Sequence, residues 1–176
     1  GTEGEIHLRG PDQVLGYWNK PELTEATFKA FGDDQSGYFM TTGDLGKIDS
    51  NGLLYICGRS KELIIINGRN VYPTDLERTI ESEYPSIVRP GSTVAFQWED
   101  DSAAMALENR KAATKEQLRA LDSKSIKSLI SSTHGVTLGA IFVLPQGTIP
   151  KTTSGKLKRT KVREISRENA WRTTHW

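Results

Sequence analysis

The fold class of this chain is decided by residues 62–80, which read ELIIINGRNVYPTDLERTI. Asn67-Gly68 separates two strand-like runs, and because both residues tolerate positive φ, the pair predicts a hairpin turn. Pro73 then suits the first turn of a helix, and Leu76 and Ile80 would share one face of that helix. The stretch therefore predicts two antiparallel strands followed by a helix.

The order of elements continues outward from this stretch towards the C-terminus. The pattern predicts a loop, two paired strands, a helix interrupted near Ser123 and a buried strand, in the segments 85–91, 92–98, 103–107, 114–132 and 139–144. A basic terminal helix follows. This order defines an α+β fold, a small domain with a mostly antiparallel sheet flanked by helices.

The N-terminal third reads differently, as short strands with one short helix. A strand is predicted from Glu5 to Arg9, a helix from Pro21 to Phe28, and a hairpin around Asn51-Gly52 between residues 38–42 and 53–57. A 60-residue segment of this kind has too little core to be stable alone. We therefore expect it to be the tail of a larger upstream domain.

This division separates the chain into three parts. We expect residues 1–60 to form the β-rich end of the larger domain, residues 61–170 to form the small C-terminal domain, and residues 171–176 to be a tail. The chain has no initiator Met and opens almost directly into strand-like sequence. It is therefore expected to be a piece of a longer protein.

Composition excludes several classes of function. Lys plus Arg number 23 and Asp plus Glu number 22, so the net charge of +1 gives no global electrostatic case for a nucleic-acid partner. Cys57 is the single cysteine, which rules out an internal disulfide. The longest aliphatic run is residues 63–66, far short of the roughly 18 residues of a membrane span. With no signal peptide visible, the expected location is cytoplasmic.

The most distinctive loop is residues 147–156, GTIPKTTSGK. It is not a phosphate-binding P-loop, because Pro150 stands where that motif has its first Gly and Leu157 where it has Ser or Thr. A loop rich in hydroxyls that ends in Lys156 would still present a mobile cation to phosphate or carboxylate oxygens. A solvated basic loop before a surface helix is the alternative.

Two further segments carry candidate binding residues. In Thr42-Gly43-Asp44, the carboxylate of Asp44 could accept hydrogen bonds from a ribose diol. In Gly58-Arg59-Ser60-Lys61, Arg59 follows a strand and could hold a sugar or a phosphate. Taken alone, the first segment would be an ordinary turn and Arg59 an ordinary surface cation.

In this order and spacing, the three segments resemble the C-terminal motifs of the adenylate-forming superfamily, which includes acyl-CoA ligases, peptide adenylation domains, luciferases and fatty acyl-AMP ligases. The superfamily patterns are Thr-Gly-Asp, Gly-Arg-x-[Asp/Lys] and Pro-Lys-Thr-x-x-Gly-Lys, and the last appears here as residues 150–156. The resemblance runs from about Gly4 to Arg167. Residues 68–77, beginning Gly-Arg-Asn-Val-Tyr-Pro, are most similar to fatty acyl-AMP ligases.

The resemblance implies roles for four residues. Lys156 would be the catalytic lysine that reaches the substrate carboxylate and the α-phosphate of ATP. Asp44 would hold the ribose hydroxyls, Arg59 would add a contact to the sugar or phosphate, and Lys61 would be the hinge about which the small domain rotates. Mg²⁺ is implied together with ATP, with its ligands upstream of this chain and none within it.

The resemblance also implies substrates and partners. A fatty acid would be activated as acyl-adenylate and passed to the phosphopantetheine arm of an acyl carrier protein, or to CoA if the parent is an acyl-CoA synthetase. A non-catalytic lid module that binds a nucleotide or a carrier protein is the alternative from a different class. The basic C-terminal helix is interpreted as a solvated helix that anchors the catalytic loop and offers cations to an acidic carrier protein.

Overall fold

The chain divides into two compact units, residues 1–61 and 62–176. The computed structural model describes residues 2–29, 38–99, 101–168 and 170–171. The mixed helix and strand content confirms the α+β class expected from the sequence. The expected roles of the segments 1–60 and 61–170 as parts of two different domains stay predictions.

The first unit is a sheet built around one long central strand. Its elements are β1 (Glu3–Leu8), α1 (Pro21–Thr27), β2 (Phe28–Lys29), β3 (Phe39–Ile48) and β4 (Leu54–Arg59). The strand β3 pairs antiparallel with each of the other three described strands. The predicted hairpin around Asn51-Gly52 is present as β3–β4. Its turn is held by Asp49 Oδ1, which accepts hydrogen bonds from the backbone N–H of Asn51 and Leu53.

The second unit contains the remaining elements. A short 3₁₀ turn, Ser60–Glu62, leads into it, followed by β5 (Ile64–Ile66), β6 (Arg69–Val71), α2 (Pro73–Glu83), β7 (Val88–Gln97), β8 (Ala103–Asn109), α3 (Lys115–Ala120), α4 (Ser123–His134), β9 (Leu138–Leu144) and α5 (Arg159–Arg167). The hairpin predicted at Asn67-Gly68 is β5–β6, and the helix predicted from Pro73 is α2.

The sheet of the second unit has the order β7-β8-β9. The strands β7 and β8 pair antiparallel, and β8 and β9 pair parallel. A parallel neighbour requires a crossover, which α3 and α4 supply. The expected predominance of antiparallel pairing holds for β5–β6 and β7–β8, and β8–β9 is the exception.

The interruption predicted near Ser123 has a local cause in two adjacent helix caps. Thr114 and Gln117 form a reciprocal capping box at the start of α3. Asp122 then accepts hydrogen bonds from the backbone N–H of Lys124 and Ser125, which starts α4 as a separate helix. The sequence therefore encodes two short helices here, each with its own cap.

Both faces of this three-stranded sheet are covered by helices. One face packs against α2 and α4 through a large apolar cluster that includes Leu107, Ile126 and Ile130. The other face packs against α5 through a smaller cluster that includes Phe96 and Val162. The alternation of Val94, Ala95 and Phe96 between the two clusters follows the two-residue period of a strand. The helix α5 is therefore fixed to the sheet.

Two expectations about chain segments are wrong in detail. Residues 85–91 were expected to form a loop, but β7 already begins at Val88 and passes through an irregular register before Thr93. Trp171 was expected to open a tail. Its side chain is instead only 8% exposed within the smaller cluster, and its Nε1–H donates to Ser166 Oγ at 2.9 Å. The rest of the expected tail, 172–176, lies outside the described residues.

Candidate functional site

Residues 150–158 form the loop that contains Lys156, and this loop is a closed hairpin. Lys151 and Leu157 form an antiparallel bridge at its base. The backbone N–H of Thr152 donates to Lys156 O at 2.7 Å, and that of Gly155 donates to Thr152 O at 2.9 Å. The φ of Gly155 is +81°, a conformation that side-chain-bearing residues rarely adopt. The loop is therefore shaped by its own backbone hydrogen bonds.

The side chain of Lys156 stands at the exposed end of this loop. Among the residues that the structure describes, none accepts a hydrogen bond from Lys156 Nζ, and none forms an ion pair with it. The hydroxyls before it serve the loop itself, because Thr152 Oγ1 accepts from the backbone N–H of Lys156 at 3.0 Å and lies 2.9 Å from Ser154 Oγ. The loop thus holds an ammonium group whose charge is not compensated by the described part of the chain.

The other lysine of the loop, Lys151, is in a contrasting environment. Its Nζ donates to Gly91 O and to Ser92 Oγ, each at 2.9 Å. These acceptors lie in the irregular part of β7. Lys151 therefore ties the base of the loop to the sheet, a role that the sequence analysis did not assign although the residue belongs to the quoted motif.

A buried carboxylate holds the chain just before the loop. Glu108, on β8, is fully buried and accepts hydrogen bonds from the backbone N–H of Ile149 and from Arg89 Nη1, each at 2.7 Å. Burial alone would raise the pKa of Glu108. The hydrogen bonds from the Gly147 and Ile149 backbone and from Arg89 outweigh burial and hold the pKa of Glu108 below its ordinary value.

An arginine holds the chain just after the loop. Arg159, the first residue of α5, donates from Nε to Glu62 Oε2 at 3.0 Å and from Nη1 to Ala95 O at 2.9 Å. Its Nη1 also forms a close ion pair with Glu77. Neither Glu108 nor Arg159 was among the site residues predicted from the sequence. The signals available were a single carboxylate directly after the apolar run 103–107 and an arginine within a basic tail.

Within the first unit, the two candidate nucleotide-binding residues face each other across the β3–β4 hairpin. Arg59 Nε donates to Asp44 Oδ1 at 2.8 Å, and Arg59 Nη2 donates to Thr42 O at 3.3 Å. Thr42 Oγ1 accepts from the backbone N–H of Asp44. Both side chains remain accessible, at 35% exposed for Asp44 and 59% for Arg59. The contact between Arg59 Nε and Asp44 Oδ1 therefore leaves both side chains partly exposed to solvent.

The candidate hinge residue, Lys61, lies in the 3₁₀ turn Ser60–Glu62, next to the point at which the two compact units divide. Its side chain is exposed. Its role as a hinge stays a prediction.

Among residues 2–29, 38–99, 101–168 and 170–171, no three His, Cys, Asp or Glu side chains lie close enough together to hold a metal ion. None of the helices in those ranges has the length and apolar character needed to cross a bilayer.

The fold with these loops is shared with adenylate-forming enzymes. One solved chain from structural studies of fatty acyl-adenylate ligases from E. coli and L. pneumophila superposes with a TM-score of 0.76 at 31% sequence identity, covering 96% of this chain and 28% of that chain. Other solved structures of this fold contain ATP or AMP. The resemblance to the C-terminal portion of the adenylate-forming superfamily is confirmed.

Two curated relatives match nearly the whole chain. A long-chain-fatty-acid–AMP ligase, FadD26, from Mycobacterium marinum is 37% identical over 97% of this chain and 30% of its own length. A medium-chain-fatty-acid–[acyl-carrier-protein] ligase, JamA, from Moorena producens is 34% identical over 91% of this chain and 27% of its own length. The chain thus spans less than a third of the relatives it matches.

The family model for the Disco-interacting protein 2-like AMP domain matches residues 61–173. Because this match covers more than half of the chain, the chain belongs to that family.

Proposed function

We propose that this chain is the C-terminal part of an ATP-dependent fatty acyl-AMP ligase, which activates a fatty acid as its acyl-adenylate. The observation that carries the proposal is the exposed ammonium of Lys156, which has no described counter-ion and is presented on a loop fixed at both ends. The match to fatty-acid–AMP and fatty-acid–carrier-protein ligases supports the choice of substrate class.

The proposed reaction joins a carboxylate to AMP. A carboxylate oxygen of the fatty acid attacks the α-phosphorus of ATP, the bond from that phosphorus to the bridging oxygen breaks, and pyrophosphate leaves. Negative charge builds up on the oxygens around phosphorus as this happens. An ammonium group placed beside those oxygens stabilises the transition state more than the ground state. Lys156 supplies that charge in the proposal.

Asp44 and Arg59 would bind the nucleotide. Asp44 Oδ2 can accept hydrogen bonds from the two ribose hydroxyls, and Arg59 holds Oδ1 through the 2.8 Å contact from its Nε. The charge of Arg59 also favours an anionic ligand nearby. The cross-strand pairing of the two residues supports this assignment, because a carboxylate held by a neighbour needs little ordering when the ligand binds.

The hinge and the metal belong to the same proposal. The small domain would rotate at Lys61 after adenylation, withdraw Lys156 and bring the β5–β6 hairpin towards the site for the second step. The Mg²⁺ that accompanies ATP would take its protein ligands from outside the described residues.

The acceptor in the second step would be the phosphopantetheine thiol of an acyl carrier protein. Its sulfur attacks the acyl carbon of the adenylate, and AMP leaves. The match to JamA, whose name gives a carrier protein as substrate, supports this acceptor, and the matches to relatives named as fatty-acid–CoA ligases keep CoA as the alternative. We place the whole protein in the cytoplasm, where carrier proteins and ATP meet.

The experiment uses the full-length protein that contains these 176 residues, with ATP, Mg²⁺ and a labelled long-chain fatty acid. Acyl-adenylate is measured alone, with CoA, and with a phosphopantetheinylated carrier protein. We expect acyl-adenylate that the carrier protein consumes and CoA does not. Rapid formation of acyl-CoA would assign the protein to the acyl-CoA synthetases. Absence of adenylate with every acid tested would leave a nucleotide-binding or carrier-binding module as the function.

A further inference from the structure

Arg159 connects three segments that are far apart in sequence. It stands three residues after Lys156, its side chain is only 12% exposed, and its guanidinium contacts Glu62, Glu77 and the backbone oxygen of Ala95. Glu62 is the residue directly after Lys61. The guanidinium therefore lies between the residue that follows the proposed hinge and the end of the proposed catalytic loop.

We propose that Arg159 is a positioning residue for Lys156, which it acts on by fixing the C-terminal end of the 150–158 loop to Glu62 and α2. The inference rests on the proposed function of Lys156. Arg159 touches neither substrate in this proposal, and its effect on the reaction passes through the position of the Lys156 backbone.

The chemistry of the contacts requires arginine at this position. A guanidinium can donate from several nitrogens in one plane, so a single side chain reaches Glu62 from Nε while its Nη1 serves Glu77 and Ala95 O. Burial alone would lower the pKa of Arg159, but the Glu77 and Glu62 carboxylates outweigh it and hold the pKa above its ordinary value. A lysine would keep the charge and lose the planar geometry.

Glu77 lies on α2 and contacts both Arg159 and β7. Its Oε1 accepts from the backbone N–H of Ala95 at 2.8 Å and also contacts Arg159. Burial raises the pKa of the Glu77 carboxyl, and the adjacent guanidinium opposes that shift. The helix α2, the strand β7 and the start of α5 are thus held by one connected group of charges.

The other end of the loop is fixed separately. Glu108 holds Ile149, and Lys151 holds the base of the hairpin to β7. With both ends fixed and the interior closed by backbone hydrogen bonds, the remaining freedom of Lys156 is mainly that of its side chain. The contacts of Arg159 differ from those of Glu108 because they include Glu62. Of these two residues, only Arg159 therefore connects the loop to the residue next to the proposed hinge.

The test compares the two half-reactions of the full-length protein. Arg159→Met, Arg159→Lys and Glu62→Gln are measured for acyl-adenylate formation from ATP and acid, and for thiol transfer from preformed acyl-adenylate. Arg163→Met is the control, because Arg163 lies on the same helix, is exposed and has no described partner. Each variant is also made in a Lys156→Ala background, and thermal melting reports on the fold.

We expect the kcat of adenylation to fall about 10- to 100-fold in Arg159→Met, since a misplacement of about 1 Å can cost that much. The KM for ATP should change little, transfer should be near the wild-type rate, and Arg159→Lys should recover only part of the loss. In the Lys156→Ala background, Arg159→Met should add almost nothing, because a residue that acts through Lys156 has no effect once Lys156 is absent.

Other results would overturn the inference. Equal losses in adenylation and transfer would show a general structural role. Adenylation rates in Arg159→Met and Glu62→Gln equal to that of Arg163→Met would show no role. If Arg159→Met does not fold, Glu62→Gln and Arg159→Lys decide the question by the same criteria. A wild-type protein that forms no adenylate would instead remove the proposed function itself.

Discussion

The backbone N–H of Ile149 donates to the buried carboxylate of Glu108 at 2.7 Å, although the two residues are 41 positions apart. Glu108 lies near the C-terminal end of β8, which is the most buried strand of the sheet. Ile149 directly precedes the loop that contains Lys156. A charge within the core therefore fixes the place where the chain leaves the sheet, and the position of the exposed lysine depends on it.

Replacing Glu108 by Gln should destabilise the second unit. The amide keeps the size of the side chain but loses its charge, so the hydrogen bonds from Arg89 and the Ile149 backbone are weakened or lost. Hydrogen bonds to charged groups contribute about 1.5–3 kcal/mol, and we expect the free energy of unfolding to fall by about 2 kcal/mol. Urea denaturation of the 176-residue chain, followed by circular dichroism, measures this loss.

The loss should depend on pH. Because the hydrogen bonds to Glu108 hold its pKa in the folded state below the ordinary value of about 4.3, the ionised carboxylate stabilises the fold above that pH. This stabilisation disappears as the pH falls through the folded-state pKa. The difference in melting temperature between wild type and Glu108→Gln should therefore narrow below about pH 4. A difference that stays constant from pH 7 down to pH 3 would contradict this account.

The two lysines of the loop should separate activity from stability. Lys156→Met removes an exposed cation without a described partner, so the melting temperature should stay the same while adenylation falls at least about 100-fold. Lys151→Met removes the contacts to Gly91 O and Ser92 Oγ, so it should lower stability by about 1–2 kcal/mol. Thermal melting and adenylate formation are measured on both variants. The same melting temperature for both, or equal activity, would contradict the distinction.

The pairing of Asp44 with Arg59 predicts coupled effects on nucleotide binding. Asp44→Asn should raise the Kd for AMP about 10-fold in the full-length protein, since the ribose loses a charged acceptor worth about 1.5 kcal/mol. Arg59→Met should raise the Kd for AMP by a smaller factor. In the double variant, the increase in Kd should be smaller than the product of the two single-variant increases. Calorimetric titration with AMP measures these constants. Exactly multiplicative effects would show that the two residues act independently. Stability should hardly change, because exposed ion pairs contribute little.

Much of the fold follows from local signals in the sequence. Asn51-Gly52 and Asn67-Gly68 identify both hairpins, since each pair suits a turn with positive φ, and Pro73 identifies the start of α2. The parallel pairing of β8 with β9 could not be found in this way. Strand partners depend on the whole topology, and an apolar run such as residues 139–144 reads the same beside either kind of neighbour.

The candidate site was only partly accessible from sequence for a similar reason. Lys156, Asp44 and Arg59 stand out because they fall in short motifs whose spacing is recognisable. Glu108 and Arg159 act across 41 and 97 positions, on Ile149 and Glu62 respectively, and no local pattern connects such partners. A single charge at the end of the apolar strand β8 indicates that a partner must exist, since an unpaired buried carboxylate is costly. It does not indicate which residue the partner is.

Gly155→Ala should weaken the loop without any steric clash. A Cβ at this position would have no neighbour within 4 Å, but φ at Gly155 is +81°, which costs an alanine about 1 kcal/mol. The loop would relieve this strain by opening its hydrogen bond from Gly155 N–H to Thr152 O, so adenylation should fall about 10-fold.

Gly68→Ala is the matched control, with φ +74° and open space around its Cβ, but in the β5–β6 turn. Its cost in stability should be similar and its adenylation near normal. Asn tolerates positive φ, so Gly155→Asn should recover part of the lost rate. Equal adenylation rates for Gly155→Ala and Gly68→Ala would show that the conformation of the loop does not limit the reaction.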